Sequence, residues 1–230
     1  MSLKHKLMKL SKVKKSVYHP LIKHVHKKHN ISKRTLFYVK EYCTKSNVSS
    51  VIIRESLIVL IFASIISSLG GFGLEKWKDQ FILLLPILIL FPVLNSMIGN
   101  YGIIFSSKYS TMLHEGKIEK HIFRSKELMR LFYHMIIIGI FTAVLASIFA
   151  LVFASLRNFN TTPDITLKIL FITIVDSMLM ISLLFFLSIF FGNYIYKKKE
   201  DPNNFLIPII TSVADFFSII ILIVLVLLFF

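Results

Sequence analysis

Five stretches of this chain stay apolar for longer than a soluble helix or strand requires. Ser56–Leu74, Phe81–Ser107 and Leu131–Leu156 carry no Asp, Glu, Lys or Arg, and the third holds one histidine, His134. Ile169–Tyr196 holds one charged residue, Asp176, and Pro202–Phe230 holds one, Asp215. Roughly 20 apolar residues cross about 30 Å of hydrocarbon as a helix. With no water to bond to, the backbone of such a segment must satisfy itself. The pattern predicts an all-α, polytopic membrane protein with five transmembrane helices in residues 51–230. Residues 1–50 form a separate polar tail.

Charge gives this arrangement a direction. The tail together with Arg54 carries 14 Lys and Arg, Lys108–Arg130 carries six and Lys197–Asp201 three. The alternate connections, Glu75–Asp79 and Arg157–Lys168, carry two each. Lys and Arg accumulate on the cytoplasmic side of membrane proteins, so the expected topology has the N-terminus inside and the C-terminus outside. Residues 1–29 repeat Lys and His without an apolar core, so no signal peptide is expected. Asn160-Thr161-Thr162 forms a glycosylation sequon on the predicted outer side. Tail lysines such as Lys4, Lys6, Lys9, Lys14 and Lys15 would add about 1 kcal/mol each beside anionic lipid headgroups. No nucleic-acid partner is expected.

Composition narrows the function. Hydrophobic residues make up 55% and charged residues 17% of the chain, which weighs against a soluble enzyme or a disordered chain. A single cysteine, Cys43, leaves no disulfide scaffold and no Cys-based metal site. His19, His24, His26 and His29 form only a loose cluster in a basic tail. No organic cofactor is implied, and no enzymatic activity is expected.

The polar residues inside the spans carry the chemistry. Ionisable groups there are costly and mark ion paths, partners or water. Asp215 lies 14 residues beyond Asp201, hence about 21 Å along the helix and near the membrane midplane. No Lys or Arg shares its span. Asn204, Pro208, Thr211 and Asp215 are spaced four, three and four apart, so one helix face carries all four; Ser212 lies beside them. Asp176 is eight residues past Lys168; it either lines the same pathway or pairs with His134 or Lys168. In the second span, Pro86 and Pro92 are expected to loosen the helix. Asn95 falls near its middle, and Asn100 lies between Gly99 and Gly102. Amide and carboxylate oxygens suit a hard divalent cation. An aspartyl-protease dyad of Asp176 and Asp215 is disfavoured because catalytic carboxylates must be adjacent. The two lie at different depths by residue count.

These segments resemble the membrane domain of MgtE-type magnesium transporters, in the branch shared with their eukaryotic solute-carrier relatives. The features are Glu55-Ser56-Leu57 at the first span, Leu85-Pro86-Ile87-Leu88 leading to Gly99-Asn100, and Tyr109-Ser110-Thr111 running on to Gly116-Lys117-Ile118. A closing motif comprises Asp201-Pro202-Asn203-Asn204, Pro208, Ser212 and Asp215. The similarity spans roughly residues 55–230, the third and fourth spans agreeing in hydropathy alone. It implies a homodimeric Mg²⁺ transporter or channel in the plasma membrane, with a pathway formed by the second and fifth helices. Asp215 from each copy would face a central magnesium site. Thr211 and Asn100 would supplement it, and Asn95, Asn204, Pro208, Asp176 and Ser212 would line the path. Where relatives carry an acid after Gly-Asn, this chain has Tyr101-Gly102. The bacterial members' CBS regulatory domains have no counterpart here, and the tail's single acid, Glu41, cannot replace their carboxylates. The alternative reading is a lipid-binding membrane anchor without transport activity.

Overall fold

A computed structural model describes residues 28, 48–114, 125–198 and 202–230, so most of the basic tail and all of its histidines lie outside the described residues. Among the described residues there are five long helices and no strand: α1 (Val48–Leu83), α2 (Leu85–His114), α3 (Lys126–Leu156), α4 (Pro163–Lys198) and α5 (Pro202–Phe229). Each contains a segment long and apolar enough to cross a membrane. Many of the large apolar side chains are exposed, among them Phe62, Phe72, Phe141, Phe153, Phe186 and Phe190. Such surface is expected where lipid, not water, is the solvent.

The first connection differs from expectation. Glu75–Asp79 is not a loop: α1 runs through it and stops at Leu83. The break falls at Leu84, whose carbonyl accepts from the amides of Ile87 and Leu88 at 2.9 and 3.2 Å. Pro86, two residues later, has no N–H to give and disfavours helix in the residue before it. It therefore sits in the first turn of α2, where its missing donor costs little, and does not loosen the middle of the span. Pro92 is the proline inside α2. The charges meant for a loop instead line an exposed turn, where Lys78 pairs with Glu75 at 2.9 Å.

The α3–α4 connection is short because each end is capped. The amides of Asn158 and Phe159 donate to the Ser155 and Ala154 carbonyls, at 3.0 and 3.1 Å. This closes α3 through a left-handed Asn158, φ 60°. Asparagine tolerates that conformation better than most residues, and the two bonds satisfy carbonyls that the helix end would orphan. Thr162 then caps α4, its hydroxyl accepting from the Ile165 amide at 3.3 Å, ahead of Pro163 in the first helical position.

α5 is central: it packs against α1, α2 and α4, while α1 touches α2 little. One core joins Leu90, Leu94 and Ile98 of α2 with Met180 and Leu184 of α4 and Leu206, Ile210 and Ala214 of α5. In lipid, helices associate through close packing and not through hydrophobicity, so small residues matter at the contacts. On α3 the buried face is Gly139, Ala143, Ala146, Ser147, Ala150 and Ala154. Gly70 is where α1 meets α5. A Cβ there would stand 3.2 Å from the Phe216 Cα and 3.1 Å from the Ile219 side chain. Gly70→Val is therefore expected to push the helices apart, costing about 1–3 kcal/mol as overpacking does. Gly71→Val, where nothing lies within 4 Å, should be tolerated. Thermal unfolding of the two variants in detergent checks this.

Candidate functional site around Asp215

Asp215 sits half-buried on α5 where three helices converge. Its Oδ2 accepts from the Ser67 hydroxyl of α1 at 2.9 Å, and its Oδ1 from the Asn95 Nδ2 of α2 at 3.1 Å. The Asn95 carbonyl oxygen accepts in turn from the Ser218 hydroxyl at 2.9 Å. This chain of bonds settles the amide's orientation. A carboxylate only accepts, so Asn95 must turn its NH₂ to Asp215 and its oxygen to Ser218.

All the donors to the carboxylate are neutral. The Lys78–Glu75 and Lys168–Asp164 ion pairs do not involve Asp215. Each carboxylate oxygen has received one hydrogen bond, and a carboxylate offers about four lone-pair positions. The arrangement orients a negative charge without neutralising it. Among the described residues no three His, Cys, Asp or Glu side chains gather to hold a metal. The chain thus offers a single carboxylate ringed by an amide and hydroxyls, which suits a cation that keeps part of its water.

The other expected residues are scattered around this centre. Thr211, one turn earlier on α5, is half-buried and donates to its own helix at Ile207 O and Pro208 O, 3.0 and 3.1 Å away. Ser212 is buried and donates to Ile209 O at 2.9 Å. Asn204 and Pro208 are half-buried nearer the start of α5, and Asn100 is exposed on α2. Asp176 has no exposed surface and lies in the packed interior of α4. It does not pair with the two partners expected of it: Lys168 bonds Asp164 at 2.8 Å, and His134 Nδ1 lies 2.6 Å from Arg130 O. Both are tied up within their own helices.

Two members of the network, Ser67 and Ser218, escaped the sequence reading. Ser218 is three residues after Asp215 and so shares its side of the helix, a signal that was available. Ser67 had none. Its neighbours Ser64 and Ser68 donate to their own helix carbonyls, Leu60 O and Ser64 O, and only the contact with α5 sets Ser67 apart.

Comparison with known families gives a match over residues 91–225, to the MgtE model, described as a divalent cation transporter. This chain belongs to the MgtE divalent cation transporter family. The family is one of transporters and not of enzymes, and five apolar helices make this member a multi-pass membrane protein. The match runs from α2 to α5 and takes in α3 and α4, which resembled the family in hydropathy alone. It includes Asn95, Asp215 and Ser218 but excludes α1, so Ser67 and Gly70 lie outside it. Searches of curated proteins and of solved structures gave no match.

Proposed function

We propose that this MgtE-family member transports Mg²⁺, with Asp215 as the residue that holds the ion in mid-membrane. The observation that carries this reading is a half-buried carboxylate held on both oxygens by neutral donors and paired with no cation among the described residues. Fixed and uncompensated, it attracts a cation through the residual charge. The protomer joins a second copy so that two Asp215 carboxylates flank one pathway; the exposed Asn100 on α2 lies on surface that such a partner would cover. Thr211, having given its proton to its own helix, keeps lone pairs for the ion or its waters. The Lys and Arg distribution supports a cytoplasmic N-terminus and an external C-terminus; the proposed setting is the plasma membrane, with the basic tail on anionic headgroups.

The test is Mg²⁺ flux into proteoliposomes containing the purified protein, with Mn²⁺, Co²⁺ and Ca²⁺ as competitors and Na⁺ and H⁺ gradients varied. Flux that Mg²⁺ saturates first supports the reading. A folded protein that passes no divalent cation under any gradient would favour the anchor instead. In the same assay Thr211→Val should weaken apparent Mg²⁺ affinity by about fivefold, the worth of one neutral interaction of about 1 kcal/mol.

A further inference from the structure

Asp176 belongs to no part of the site just described. Its side chain is wholly buried, and both carboxylate oxygens are without a hydrogen-bond partner among the described residues. The adjacent Ser177 hydroxyl is buried too and does not donate to it. One turn to either side on α4, Ile172 and Met180 lie in the apolar core with Leu90, Leu94, Ile219 and Leu222. An ionised carboxylate in such surroundings costs several kcal/mol. A neutral acid carries only the smaller cost of its hydroxyl and carbonyl.

Among the described residues, no charge on the neighbouring helices offsets that cost. α2, α3 and α5 pack against α4. On α3, Gly139 meets Ile181; α3 runs antiparallel to α4. Lys126, Glu127, Arg130, Tyr133 and His134 therefore lie on the far side of that contact from Asp176. On α2, Gly102 lies against Leu184, and Tyr109 against Gly192. Tyr101, Lys108 and Tyr109 are thus level with α4 residues two turns or more beyond Asp176. On α5 the titratable group is Asp215, engaged by Ser67 and Asn95. On α4 itself Lys168 pairs with Asp164 and stands over the Phe230 ring, and Tyr194 and Tyr196 are near the other end.

We infer that Asp176 is a proton-binding site, occupied in this conformation and separate from the cation site at Asp215. The bound proton converts a buried anion into a neutral acid that the apolar core accommodates. Release requires water to reach the carboxylate, hence separation of α4 from α2 or α5. An opening of this core and loss of the proton are therefore one linked event, favoured by alkaline medium. The inference rests on the packing of α4 and not on which ion is transported.

Infrared spectroscopy of the purified protein in lipid at neutral pH tests it directly, without a transport assay. Wild type is expected to show the carbonyl band of a protonated carboxyl group. Asp176→Asn, which has nearly the shape of the neutral acid, should lose that band, and Asp215→Asn should retain it. If Asp176→Asn does not fold, Asp215→Asn protein made with aspartate ¹³C-labelled at the side-chain carboxyl carbon answers the question. The band should shift, because Asp176 is then the one aspartate left in the described helical interior, Asp79 and Asp164 being exposed. No band in wild type, a band unchanged in Asp176→Asn, or a band that the label does not shift would overturn the inference.

Discussion

Asp215→Ala is expected to abolish divalent-cation flux in proteoliposomes while the protein still folds and inserts. Two unit charges 4 Å apart at an effective dielectric constant of 20 attract by about 4 kcal/mol, which is roughly a thousandfold in occupancy. Asp215→Asn separates charge from shape. It keeps a side chain of the same size and can still accept from Ser67, but it cannot attract a cation through net charge. Both substitutions should therefore lose flux to a similar extent, and thermal unfolding should distinguish them. Alanine leaves the Asn95 amide and the Ser67 hydroxyl without their acceptor, while asparagine keeps one. Wild-type flux in Asp215→Asn would show that the carboxylate organises helices and does not hold the ion.

The second large effect is expected at Asn95. Its amide makes two bonds, donating to Asp215 at 3.1 Å and accepting from Ser218 at 2.9 Å, so it links α2 to α5 and sets where the carboxylate points. Asn95→Leu removes both. Ser218 has a local alternative, since its hydroxyl already lies 3.4 Å from the Asp215 carbonyl, but the carboxylate has lost one of its two donors. Hydrogen bonds to charged groups contribute about 1.5–3 kcal/mol. Flux should fall by about ten- to a hundredfold, less than with Asp215→Ala because the charge remains. Asn95→Gln carries the same groups one methylene too far and should rescue only part of the loss. Equal flux in Asn95→Leu and wild type would mean that Ser67 alone positions Asp215. The measurement is Mg²⁺ influx at saturating and at limiting concentration. Loss of position raises the half-saturating concentration, and loss of folding lowers the amount of active protein.

Much of this architecture was open to reading along the chain, for a reason particular to membranes. Lipid obliges a spanning segment to be a helix of a given length with few charges, so hydropathy alone located all five helices. Asp215 stood out for the same reason: a charge there is too costly to be incidental. The first connection is not legible in the chain, because four charges in Glu75–Asp79 look like a loop, whereas a helix tolerates them when the turn is exposed. Pro86 decided where the chain breaks. Asp176 was placed among the polar residues in the spans, but its depth within the protein could not be counted from residue numbers. Burial depends on which face of α4 meets α2 and α5.

The order of apolar and polar residues by itself determined the helix number, the isolated acid in the last span and the opposed Lys and Arg content of alternate connections. Those properties depend on composition within a segment and need no knowledge of its neighbours. Tertiary structure alone decided that Ser67 and not Ser64 or Ser68 reaches Asp215, that Asn95 is the bridge and that Asp176 is buried without a hydrogen-bond partner among the described residues. Each of these depends on the rotation of one helix against another. That rotation is set by close contacts such as Gly70 against Phe216 and Gly102 against Ile210, between residues far apart in the chain.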